Sequence, residues 1–264
     1  MPRISVITIV RNGLPFIEET VKSVLDQDYG NLEYIVVDGG STDGTVEVIK
    51  SHAAGIAKWI SEPDRGISDA FNKGLALSTG DYVLFLNADD MLANPGVLRE
   101  VANRIAENHF PEMLYGDCDV LERDSGEVLY RASIPFSPEE LKQGKIIPHP
   151  SLFTSRAYFD RYGRFDEAFK IAMDYEWMLR GIFDVRVAHE AFLVTNVRNG
   201  GISTINQKRV VEEILAALRK NHYIRSGLDE LKLRSYFSGR AFAKSFLRRV
   251  GLYDAFSSFR NRRQ

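Results

Sequence analysis

A chain of 264 residues that is 44% hydrophobic can bury a full core, and a net charge of −2 supplies no overall attraction to nucleic acid. A single cysteine, Cys118, excludes an internal disulfide framework; no apolar run approaches the roughly 20 residues that span a bilayer. The start MPRISVITIV lacks the long apolar stretch and cleavage site of a signal peptide, so the expected location is the cytoplasm.

Residues 4–10 (ISVITIV) form an apolar, β-branched run ending in Arg-Asn-Gly, which predicts a buried strand and a loop. Ile17, Val21, Val24 and Leu25 then recur at helical spacing. The unit repeats: strand LEYIVV (32–37), helix from about Thr45, strand IAKWIS (56–61), helix from about Ser68, strand YVLFLN (82–87). Strands alternating with helices predict an α/β fold with a mostly parallel sheet and right-handed crossovers. Asn94-Pro95 reads as an N-cap and first turn, with Val97, Leu98, Val101 and Ile105 as the stripe of the next helix. Beyond residue 110 come a strand MLYGDCDV with hairpin partner EVLYRA, a Pro-rich loop, the segment HPSLFTSRAYFDRYGRFDE and a short helix from Asp174.

The last 57 residues predict two or three amphipathic helices, with Val211, Ile214, Leu215 and Leu218 on one face of the first and Phe242, Phe246, Leu247 and Val250 on one face of a later one. Charge divides there too: 14 Lys+Arg face 5 Asp+Glu from Lys208 onward, against 20 and 31 before it. The expected organisation is a catalytic domain over 1–207, with halves 1–110 and 111–207, and a basic helical tail over 208–264. Phe242, Phe246, Leu247, Leu252 and Phe256 interleave with Lys244, Arg248, Arg249, Arg260, Arg262 and Arg263, a pattern suited to an anionic membrane surface through 235–264, or to packing on the domain or a homodimer partner.

Carboxylates gather where strands end: Asp38 in YIVVDGGSTDGT, Asp64 in SEPDRG, Asp89 and Asp90 in FLNADD, Asp174 in AMDYEW. Converging at the C-terminal rim of a sheet they repel one another, unless a divalent cation and a polar ligand lie among them. The glycines after Asp38 lack the spacing of a dinucleotide fingerprint, and a strand-tip acid suits a base or ribose better than a phosphate. Asp89 and Asp90 stand where oxygen ligands can grip Mg²⁺ or Mn²⁺. Arg65 before a helix start suits a diphosphate, and the alternative is an ion pair with Asp64 while Asp69 caps the helix. Asp174 and Glu176 lie two apart on a helix, so only one can enter a site, where it can act as general base. His149, between two prolines, remains open between metal ligand, phosphate contact and plain loop residue. Trp177 and Met178 are expected in the core.

Five segments in order (SVITIVRN, VVDGGSTDGT, EPDRGISDAFNKG, FLNADD and a late D-x-E helix) resemble the family-two glycosyltransferases of the GT-A fold, from about Ile4 to Arg180. The resemblance implies an inverting, metal-dependent enzyme of bacterial surface-glycan synthesis that uses Mn²⁺ or Mg²⁺ and a nucleotide-sugar, UDP-sugar favoured. It implies donor contacts at Ile9, Arg11, Asp38, Gly40, Arg65, Asp69, Asn72, Asn87 and Ala88, with Asp38 on the base and Arg65 on the diphosphate. Asp89 would take the metal with Asp90 beside it, Asp174 would be the catalytic base, and His149 and Glu176 would be further substrate or metal contacts. The acceptor would be a glycan or a lipid-linked glycan, placing the enzyme in the cytoplasm at the inner membrane face. Three departures stand out. Asn87 replaces the first acid of the usual D-x-D, Met173 stands where many relatives carry Glu, and the Q-x-x-R-W of processive synthases is absent, which favours single sugar addition. The competing readings are a nucleotidyltransferase, for which VRNGLPF is too poor in basic and glycine residues, and a non-catalytic module of the same fold.

Overall fold

The structure is a computed structural model that describes residues 1–133, 135, 137–201 and 206–249, with side chains described as far as 239. Strand β1 (Ile4–Val10) is buried along both faces, with β2 (Leu32–Asp38) and β4 (Tyr82–Asn87) parallel on either side and β3 (Lys58–Ser61) parallel to β2. Burial on two sides is why these strands read as continuous apolar runs rather than alternating ones. The crossovers are α1 (Ile17–Leu25), α2 (Thr45–Ser51) and α3 (Ile67–Leu77).

A two-residue strand β5 (Met91–Leu92) leads into α4 (Val97–Glu107). This helix starts later than Asn94-Pro95 predicted: Asn94 Oδ1 accepts from the Gly96 amide at 2.9 Å, closing a separate turn ahead of the helix. Then follow β6 (Met113–Leu121), β7 (Val128–Ala132), α5 (Pro138–Leu141), a 3₁₀ turn His149–Ser151, β8 (Leu152–Ser155), α6 (Arg156–Tyr162), α7 (Met173–Leu179), β9 (Val187–Arg198), α8 (Gln207–Lys220) and α9 (Gly227–Arg249). The strands make one sheet in the order β3-β2-β1-β4-β8-β6-β9-β5, with β7 antiparallel to β6.

Alternate residues of the central strands feed two cores. Ile7, Ile35, Val83 and Phe85 meet α3, α6, α7 and α8; Val6, Val36, Leu84 and Leu86 meet α1 and α4. Trp177 stacks on Phe159 with centroids 4.6 Å apart, in the core as expected. Ile214, Leu215 and Leu218 of α8 are buried as their spacing predicted, and Ile214 and Leu218 belong to the first core. The apolar face expected at Phe242, Phe246, Leu247, Val250, Leu252 and Phe256, with its interleaved lysine and arginines, lies outside the residues whose side chains are described. Among the described residues no helix is long and apolar enough to cross a membrane.

The far, N-terminal end of the parallel strands is tied by one carboxylate. Glu33, almost fully buried, accepts from Ser5 Oγ (2.7 Å), Thr79 N (2.6 Å) and Thr79 Oγ1 (2.9 Å), with Arg3 and Lys58 alongside. Burial pushes this carboxyl up, but the hydrogen bonds and the Arg3 charge outweigh it and hold it at about 2. The stabilisation is therefore fully present above the ordinary value of about 4.3 and lost as pH falls toward 2. Glu33→Gln should lower the unfolding free energy at pH 7 by roughly 2 kcal/mol, and the gap to the parent should close between about pH 5 and pH 2 in urea melts.

Candidate active site

The register of the parallel strands brings the candidate residues to one edge. Ile9 lies opposite Val37 on one side and Asn87 on the other, Val10 opposite Asp38, and Asp38 opposite Ser61. Arg11 follows β1 and is exposed, and Ala88 follows β4 beside Gly13.

Asp38 is fully buried and shapes the turn it starts. Its oxygens accept from Gly40 N (3.1 Å), Ser41 N (3.1 Å), Ser41 Oγ and Ser61 Oγ (2.6 Å), which fills the acceptor capacity of a carboxylate. Gly40 has φ +81°, open to glycine without strain. Gly39 is required for another reason: a Cβ there would sit 2.0 Å from Asp64 Oδ2, so Asp64 closes directly over the turn.

Arg65 reaches back along its own helix start. It does not pair with Asp64, which accepts from the Gly66 amide at 2.8 Å. Its amide and its guanidinium donate to Asp69 at 3.0 and 2.8 Å, and the guanidinium also meets Glu167 at 2.9 Å while staying exposed. The Arg65 guanidinium beside Asp69 holds that carboxyl at about 2. Asn72 is buried and clamps Phe165, donating to its carbonyl (2.9 Å) and accepting from its amide (3.0 Å), so it ties α3 to the loop after α6.

At the end of β4 the two adjacent acids take opposite roles. Asp90 is 1% exposed; its oxygens accept from Asn87 Nδ2 (2.8 Å) and the Arg198 amide (3.2 Å), and burial together with the Asp89 charge pushes its carboxyl up to about 7. Both of its oxygens are thus engaged within the protein, next to the Asp89 with which it shares the cavity wall. Asp89 faces outward, with Oδ2 accepting from Arg123 at 2.8 Å. Among the described residues no three His, Cys, Asp or Glu side chains come together as a metal cage.

Asp174 sits in the first turn of α7, with His149 Nδ1 3.4 Å from its Oδ2. His149 Nε2 lies 3.4 Å from Asn87 Nδ2, which donates to Asp90, so a proton on Nδ1 satisfies the whole row. Asn87, Asp89, Asp90, His149 and Asp174 all line one cavity of about 560 Å³. Glu176 does not. It is 0% exposed, on the opposite side of α7, and is held by Arg180 (Nε at 3.0 Å), Lys220 (2.9 Å) and Asn221 (3.4 Å). Its expected contact with substrate or metal is replaced by a structural clamp between α7 and α8.

Three residues that the sequence reading missed complete the site. Arg123 and Arg198 both lie over the Phe16 ring, at 4.9 and 4.3 Å from its centre. Arg198 also donates to the Asp89 carbonyl at 3.1 Å and to Glu19 at 2.6 Å. A signal for it existed: NVRNGG repeats the strand-then-Arg-Asn-Gly pattern of IVRNG at β1. Glu213 of α8 accepts from three successive amides, Lys170, Ile171 and Ala172, at 2.8–3.0 Å, and so fixes the chain leading into Asp174.

Residues 5–153 match the family model described as Glycosyl transferase family 2. An uncharacterized glycosyltransferase of Mycobacterium tuberculosis is 32% identical over 260 residues, covering 98% of this chain and 95% of the relative. A PGL/p-HBAD biosynthesis glycosyltransferase of Mycobacterium bovis is 28% identical over 209 residues, 78% of this chain and 77% of the relative. Among solved structures, S. aureus TarS 1-349 in complex with UDP-GlcNAc superposes with a TM-score of 0.64 at 18% identity, over 89% of this chain and 70% of that one. The mannosyltransferase PcManGT of Pyrobaculum calidifontis in complex with GDP-Man and Mn²⁺ gives 0.62 at 20% identity, over 98% and 80%. These two likenesses establish the GT-A fold.

Glu176→Ala should lower the unfolding free energy by roughly 3 kcal/mol, because Arg180 and Lys220 lose their buried partner. Chemical denaturation should show that loss while nucleotide-sugar affinity, measured by titration, stays within about twofold of the parent; a selective loss of affinity would return Glu176 to the site.

Proposed function

From the premise that the chain belongs to glycosyl transferase family 2 and is a glycosyltransferase, we propose that it inverts configuration while moving one sugar from a nucleotide-sugar to an acceptor hydroxyl. The single observation that carries this reading is that Asp89 and Asp174, from opposite halves of the chain, line one cavity, with Asp174 linked through His149 and Asn87 to Asp90, the neighbour of Asp89. In this reading residues 1–110 hold the donor, 111–207 the acceptor, and 208–264 form the tail, whose first helix, α8, packs into the first core. The nucleotide lies across the tips of β1, β2 and β3, against Arg11 and the turn that Asp38 and Gly40 shape. The exposed Arg65 guanidinium, steadied by Asp69, faces the diphosphate. Asp174 takes the proton of the acceptor hydroxyl as its oxygen attacks the anomeric carbon from the face opposite the departing nucleoside diphosphate. His149 orients that carboxylate.

A divalent cation fits this site in one specific way. Asp90 is engaged on both oxygens and Asp89 is the outward acid, so the chain offers one carboxylate and the donor phosphates complete the coordination, as is usual for Mg²⁺ or Mn²⁺ beside nucleotides. When bound, the cation supplies charge stabilisation to the leaving diphosphate. That the mannosyltransferase neighbour is in complex with Mn²⁺ and the TarS neighbour with UDP-GlcNAc supports the choice of Mn²⁺ and a UDP-sugar as first probes. The name of the M. bovis relative supports a glycolipid or lipid-linked glycan as acceptor. In this reading the enzyme is cytoplasmic and peripheral to an anionic membrane through 235–264, which the basic composition of that segment supports.

A thermal-shift panel of nucleotide-sugars with Mn²⁺ should identify the donor, since a ligand at about 100 times its dissociation constant adds about 2.7 kcal/mol. With that donor, Asp174→Asn should keep its affinity and lower kcat by roughly 10² or more. NMR of the product should show the inverted anomer. Transfer at the parent rate by the variant, or a retained anomer, would refute the assignment of Asp174.

A further inference from the structure

The 560 Å³ cavity is of ligand-binding size, but its polarity is lopsided. Asn87, Asp89, Asp90, His149, Asp174 and Arg198 are linked by the contacts described above into one cluster. Among the described residues, every other lining residue apart from Asn199 is apolar, a glycine or a tyrosine. Arg11, Asp38 and Asp64, assigned to the nucleotide, are not in the wall; Ile67 and Phe71 of α3 are, while Val120, Tyr130, Ile146, Pro148, Val197 and Val210 all come from beyond residue 110.

From these observations we infer that the acceptor carries an apolar moiety, aryl or alkyl, next to its reacting hydroxyl, seated on Val120, Tyr130, Ile146, Pro148, Val197 and Val210. The inference rests on the glycosyltransferase reading and deepens it. The wall is built for the purpose. A β-bulge between β6 and β7 pairs Leu121 with Val128 but Val120 with Tyr130, leaving Leu129 as the additional residue and bringing Tyr130 to the cavity face with Val120. The opposite wall, residues 144–148, is pinned. Gly144 lies at φ +74° with room for a Cβ closed off 2.7 Å away by the Phe237 ring, and Tyr175 Oη donates to the Leu141 carbonyl at 2.5 Å. Tyr130 and Ile146 remain 44% and 38% exposed at this site, apolar surface that a ligand would remove from water. A polyhydroxylated ring placed there would leave hydroxyls without partners, whereas an aglycone loses nothing on leaving water.

The test uses the full-length protein and three probes that differ only in the aglycone: methyl, hexyl and p-nitrophenyl β-glucosides, titrated in the presence of Mn²⁺ and UDP. The hexyl or p-nitrophenyl compound should bind about tenfold or more tighter than the methyl compound, and whichever is tighter identifies the alkyl or aryl source. Tyr130→Ser and Ile146→Ser should each remove most of that advantage, while Leu228→Ser, at an exposed leucine on α9, should not. Equal affinities for all three glucosides, or an advantage that survives both wall variants, overturns the inference. Donor affinity is measured in the same samples: a chain that binds no nucleotide-sugar yet discriminates among the glucosides refutes the proposed function and leaves the apolar subsite standing.

Discussion

One buried carboxylate decides how the two halves of this protein meet. Asp90 accepts from Asn87 at the end of β4 and from the Arg198 amide at the end of β9, joining the parallel half to the antiparallel half across the site. A carboxylate this buried is costly unless its oxygens are satisfied, so each partner is held where Asp90 requires it. Asp89, the next residue, is thereby turned outward, and the second Nδ2 hydrogen of Asn87 is directed at His149. The substitution of Asn for the usual first acid makes sense in this setting. A third negative charge beside Asp89 and Asp90 would have had nothing to neutralise it inside the protein, whereas an amide donates to one neighbour and faces another.

Asp174, the proposed base, is positioned by a helix that composition would assign to the tail. Three amides ahead of α7 converge on Glu213 of α8, and on the buried side of α7 Glu176 is gripped by Arg180 and by Lys220 of α8. Burial pushes the Glu213 carboxyl up, but the three amides and Arg209 outweigh it and keep it ionised. Asp174 thus sits on a short helix fixed at its start by one carboxylate and along its back by another, a support that keeps its own carboxylate in place. The change of charge at Lys208 marks a change in surface composition; the packing of Ile214 and Leu218 into the first core shows that the fold continues through it.

How much of this was legible in the sequence depended on the kind of strand. β1, β2, β4 and the helices between them were readable because doubly buried parallel strands are unbroken apolar runs, and because Asp38, Arg65, Asp89 and Asp174 each stand where such an element ends or begins. β8 has four residues and β9 carries polar and apolar positions without clean alternation, so neither announced itself. Side-chain direction was the other gap. The neighbours Asp89 and Asp90, or the pair Asp174 and Glu176, look equivalent as letters, and partners distant in sequence, Arg198 for Asp90 and Lys220 for Glu176, decide which acid is buried. For Glu176 the helical spacing did forecast that one of the two must turn away; which one depended on Lys220. Asn72 looked available for a ligand until Phe165 took both sides of its amide.

The same division separates what is general in this site from what is particular to the chain. The polar end is set by strands running parallel and stopping together, a geometry that any sequence with this strand order must reproduce, so its residues fall in recognisable motifs. The walls beyond it come from a bulged hairpin, a proline-flanked loop and the face of α8, none of which is dictated by the sheet. The bonds that satisfy Asp90 come from Asn87 and the Arg198 amide, outside those segments. Under the proposed mechanism, selection for a different acceptor can act on those walls while Asp174 and Asp89 are retained, and the loss of sequence signal beyond residue 110 is the expected mark of that freedom.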